Sequence, residues 1–165
     1  GREASFQGGY RWAFYAHLAA GPVTLLLGLA LMSVALRRVA PAWHRALGRV
    51  QMAVVLLLLV PSGLVMSASA ATGVAAGLGF ATLAVATAAC AVLGWRAAVQ
   101  RRFAAHERWM TRLFILLCSA VVLRLIAGVA HLASLDADWL YPASAWASWL
   151  GPLAAHESWR VIRRD

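Results

Sequence analysis

The sequence predicts an all-α integral membrane protein, a helical bundle of four transmembrane spans with a weaker fifth run behind them. Three observations carry that reading. Of the 165 residues 62% are hydrophobic and only 13% are charged, about half the charged share of a soluble domain. The apolar residues gather in runs of roughly 20 or more, enough at about 1.5 Å per residue to cross a hydrocarbon core about 30 Å thick. The basic charge falls in alternate connections between those runs, as membrane topology requires.

Taken in order, residues 1–11 are polar and glycine-containing and read as an exposed lead-in. The chain starts at Gly1 rather than Met, so a missing upstream helix or signal is an open expectation. Residues 12–36 hold no formal charge and form the first span, loosened near Gly21-Pro22 because proline lacks a backbone donor. Arg37, Arg38, Arg45 and Arg49 mark the first connection, with no acid among them. A Val/Leu-rich second span over 50–71 contains Pro61, and a small uncharged turn leads to a third span over 74–95. That third run is rich in Ala, Gly and Thr, which suits close packing in lipid. A second basic connection over 96–112 sets five arginines against Glu107. The fourth span covers 109–133, with Arg124 deep inside it. Residues 139–159 form the fifth run, interrupted by Pro142, Pro152, His156 and Glu157, with an interfacial helix as its alternative. A basic tail over 161–165 follows, so that one transmembrane domain fills 12–160.

Short loops rich in arginine stay in the cytoplasm. The connections after spans one and three hold nine arginines and those after spans two and four hold none, which orients the N-terminus outward. The formal charge of +9 is all arginine, without lysine, and it lies beside apolar runs. That pattern argues for membrane lipid as a partner and against nucleic acid. Each half also reads as a hairpin with a basic, His-bearing connection, a pattern a duplicated two-helix unit would leave.

Candidate site residues follow from depth. His44 and His106 fall at the inner boundary, His17 and His131 toward the outer side. Two histidines from different helices at matched depth are what bis-imidazole haem b ligation needs. His106 and His131 are 25 positions apart, roughly 37 Å of helix, which would push any haems to the membrane edges. Arg124 lies near the depth of His17, and a charge there costs at least about 2.5 kcal/mol on insertion scales. It is therefore expected to face a partner: an outward cavity with His17 and Tyr15 suited to an anionic headgroup, a quinone oxygen or a carboxylate. The alternative has Arg124 bonding carbonyls freed near Pro22, or pairing with Asp136, Asp138 or Glu157. Arg45, Arg49, Arg108 and Arg112, with Trp43 and Trp109, form an inner basic cluster that would attract anionic lipid. Cys90 and Cys118 lie in apolar runs without metal spacing and read as small core residues. No hydrolytic triad, nucleotide loop or HExxH is present. A transporter subunit or an interaction scaffold, packing on another membrane protein or a second copy through small-residue faces, is a third possibility to test.

FYAHLAAG (Phe14 to Gly21), HRALGRVQ (His44 to Gln51), GLGF (Gly77 to Phe80), HERWMTR (His106 to Arg112), LRL around Arg124 and WASWLGP (Trp146 to Pro152) together resemble the bacterial membrane-protein family called domain of unknown function 2306. The resemblance covers about residues 10–160. It implies a small multi-pass bundle whose pattern features the positions of His17, His44, Arg45, Gly48, Arg49, His106, Trp109, Met110, Arg112 and Arg124. The chain departs from the pattern at Gln51, where an aromatic is usual, and at His156-Glu157. The resemblance brings no established activity.

Overall fold

A computed structural model describes residues 9–70 and 73–163. Among them there is no strand. The helices are α1 (Gly9–Met32), α2 (Val34–Val39), α3 (Pro41–Ala68), α4 (Val74–Val99), α5 (Phe103–Leu132) and α6 (Leu140–Ile162). Four of them, α1, α3, α4 and α5, are long and apolar enough to cross a membrane.

Local chemistry sets the boundaries. Ser33 interrupts the first apolar run, its hydroxyl accepting from the Leu36 backbone N–H and capping α2. Proline at the first position then starts α3 at Pro41, so the HRALGR segment is helix rather than loop. Inside α3 the backbone widens to a π turn over Val55–Leu59, just before Pro61. Proline cannot donate there, and beside it the Ser62 hydroxyl donates to Leu58 O at 2.5 Å. Gly73 enters α4 at φ +93°, a conformation that favours glycine. Arg101 at φ 58° makes the turn into α5, with the Arg102 N–H returning to Ala97 O at 2.9 Å.

Helix α4 is the hub, packing against α3, α5 and α6. Its buried face carries Ala76, Gly79, Ala84, Thr87, Cys90, Ala91, Gly94 and Ala97, small residues that let backbones approach where lipid supplies no hydrophobic force. The main core cluster gathers Met52, Val55 and Val60 from α3, Cys90 and Ala91 from α4, Leu113 and Leu116 from α5 and Trp149 from α6. Cys90 and Cys118 are free thiols in apolar surroundings.

The fifth run is one continuous helix of 23 residues, about 35 Å long. Tyr141 meets Phe80 edge-on and the Trp146 indole donates to Ala75 O at 3.0 Å. At its other end Glu157 reaches Arg112. Helix α6 thus runs alongside the whole bundle, parallel to α4. The expected lead-in over 1–11 lies mostly outside the described residues, and the chain is already helical from Gly9. Positions 164–165 of the basic tail also lie outside them.

Candidate functional site

The polar residues of the arginine-rich end converge on the first turns of α5. The ring of His106 stands with Nδ1 2.9 Å from Gly94 O on α4. A nitrogen facing a carbonyl carries the proton, which leaves Nε2 as the acceptor or ligand atom. Gly94 keeps this crossing close: a Cβ there would displace the flexible Met110 methyl and stand a tight 3.2 Å from Trp109 Cβ. Glu107 turns the other way and pairs with Arg37 of α2 at 3.7 Å. Arg112, one turn on, grips Glu157 of α6 with both arms, Nε to Oε1 at 2.7 Å and Nη2 to Oε2 at 3.0 Å. Its guanidinium lies 4.8 Å from the centre of the Trp109 ring, and Arg160 adds a second cation to Glu157 at 3.1 Å. Three residues of the HERWMTR stretch, His106, Glu107 and Arg112, therefore tie α5 to α4, α2 and α6.

His44 projects from α3 into this belt. His106, Arg37 and Arg45 lie near enough to its ring to act on it electrostatically. Its Nδ1 is buried and has no hydrogen-bond partner among the described residues. A buried polar atom left unpaired costs about 1–3 kcal/mol. The structure thus brings His44 and His106 into one neighbourhood, beside Arg37 and Arg45. Of the expected basic cluster, Arg45, Arg49 and Arg108 are exposed. Arg112 is not: its side chain is 20% accessible and committed to Glu157. That is a correction to the sequence expectation, which placed Arg112 with the lipid-facing arginines. The signal was present, because Glu157 sits alone among arginines near the same end.

The opposite end is arranged differently. His17 turns into α3, its Nδ1 3.1 Å from Ser62 Oγ. The charge of Arg124 reaches that ring, yet Arg124 itself is exposed and donates to Ala120 O of its own helix at 2.9 Å. Neither Asp136, Asp138 nor Glu157 forms an ion pair with it among the described residues. Tyr15 is exposed and packs edge-on against Phe14. Two residues from His17, it lies about 200° around α1, so the geometry does not gather His17, Tyr15 and Arg124 into one cavity wall. His131 is exposed and lines a separate pocket of about 590 Å³ between α5 and α6, with Asp136, Tyr141 and Ser144. His17 and His131 therefore face different neighbours and are not brought together as a ligand pair.

Three buried polar residues are not among the candidate site residues the sequence offers. Gln51 is 2% exposed, its amide donating to Thr24 O at 3.0 Å while Oε1 is buried without a partner. Thr24 is buried beside it, and Ser62 holds His17. A lone Gln inside a Val/Leu run was the available signal. No group of three or more metal-ligating side chains occurs among the described residues.

This architecture and site define a polytopic helical membrane protein with a polar, histidine-bearing belt at one end. The chain belongs to the family described as predicted membrane protein DUF2306, whose model matches residues 14–159. No curated protein and no solved structure matches it.

Proposed function

We propose that the protein is a non-enzymatic binding protein of the bacterial inner membrane that takes a small anionic ligand at the arginine-rich end, between His44 and His106. One observation carries this reading: a buried, unpartnered imidazole nitrogen on His44 at the point where Arg37, Arg45 and His106 converge. An anionic oxygen would accept from that nitrogen and offset the surrounding charge. The positive-inside rule supports a cytoplasmic position for this end, and the length of α6 supports a fifth span. The test is thermal unfolding in mild detergent with inorganic phosphate or citrate. Wild type gains stability in proportion to the logarithm of anion concentration, and His44→Ala does not. No shift with either anion, or an equal shift in the variant, removes the reading.

A specific observation favours haem b as the second reading. His106 holds Nδ1 on a backbone carbonyl, the arrangement of a metal-ligating histidine with Nε2 presented, and nearby arginines would suit the propionates. The geometry supports one such pair, not two. Protein purified from haem-replete cells would then show a Soret band and a reduced α-band that His44→Ala removes. A colourless protein at full yield ends this reading and leaves the first intact.

A further inference from the structure

We propose that the groove between α3 and α4 at the arginine-rich end is a binding site for an anionic phospholipid, with its phosphate on Arg45 and Arg49 and one acyl chain in the groove. The groove holds about 320 Å³ and is lined by Arg49, Met52, Ala53, Leu56 and Leu57 of α3 with Val92 and Trp95 of α4. That is room for about ten groups the size of water, a stretch of one acyl chain.

The sequence spacing builds it. Arg45, Arg49, Met52 and Leu56 follow one another at four, three and four residues, so they form one stripe along α3. The two cations lie at the end of the stripe nearest the membrane boundary. From Arg49 to Leu57 is about 12 Å of helix, which carries a bound chain from the headgroup region toward the bilayer centre. Ala53, exposed and small, leaves the groove open, and Trp95 closes its upper wall as an interfacial aromatic does.

The charge identifies the occupant. Neither Arg45 nor Arg49 has an acidic partner among the described residues, in contrast to Arg37, Arg112 and Arg160. Arg49 donates its Nε to Arg45 O at 3.3 Å, which holds its guanidinium over the groove mouth. Two uncompensated arginines above an apolar trough match a phosphate joined to a hydrocarbon chain. The groove lies apart from His44, whose ring leaves α3 about 100° around from Arg45; Arg45 borders both, and Arg49 belongs to the groove alone.

The test is native mass spectrometry of the detergent-purified chain mixed with phosphatidylglycerol or phosphatidylcholine of identical acyl chains. Wild type retains phosphatidylglycerol several-fold better. Arg49→Ala brings the two lipids level. Ala53→Phe, which fills the trough without touching a charge, lowers retention of both. His44→Ala leaves the preference unchanged, which separates this site from the anion pocket. Equal retention of the two lipids by wild type, a preference that survives Arg49→Ala, or retention unmoved by Ala53→Phe, overturns the proposal.

Discussion

The two halves of α5 use their polar residues in opposite ways. Over Phe103–Leu117 they reach outward: Glu107 to α2, His106 to α4, Arg112 to α6. Beyond the irregularity at Cys118, over Ser119–Leu132, the helix packs chiefly on α6, Arg124 bonds its own turn, and His131 stands at an open pocket. One half is a latch and the other is a wall. The depth of an arginine in an apolar run is therefore no guide to its role: Arg112, at the basic end of the span, joins helices, and Arg124, deep inside it, does not.

Substitutions at three positions test that contrast, in descending order of effect. Gly94→Val forces α4 from Met110 and Trp109 and displaces the carbonyl that His106 holds. Overpacking at such a crossing costs about 2–3 kcal/mol, and the detergent melting temperature should fall further than for any other change considered. Arg112→Ala leaves Glu157 with Arg160 alone. Because Glu157 is 40% accessible, the loss is about 1–2 kcal/mol rather than that of a fully buried pair. Arg112→Lys should recover only part of it, since an ammonium cannot make both bonds. Arg124→Leu has the smallest effect, with a melting temperature unchanged or raised. A fall as large as that of Arg112→Ala would mean that the far half of α5 is latched after all.

Much of this was legible in the sequence and some was not. The third apolar run began at 74 as expected, and its small-residue face is the packing surface of α4. The arginines of the basic connections read as loop in sequence, yet most of them lie on helices. Pro41 instead starts α3, and the turn before α5 occupies only a few residues, so His44 and His106 ride on helices and can face each other. The matched depth of these two histidines was readable from topology. Which nitrogen bonds Gly94 O was not, since that depends on how closely α4 and α5 approach. The pairing of Arg112 with Glu157 spans 45 residues, and no local periodicity encodes a contact of that range. The failure of His17 and His131 to meet has the same origin: spacing fixed their depth along each helix, and only packing fixed the direction each one faces.

Hydrogen exchange across α5, followed by mass spectrometry on the detergent-solubilised chain, addresses the latch directly. Amides of Phe103–Leu117 should stay protected while those of Ser119–Leu132 exchange earlier, and Arg112→Ala should narrow the gap by releasing the first half. Equal protection in both halves, or earlier exchange in the first, would contradict the account.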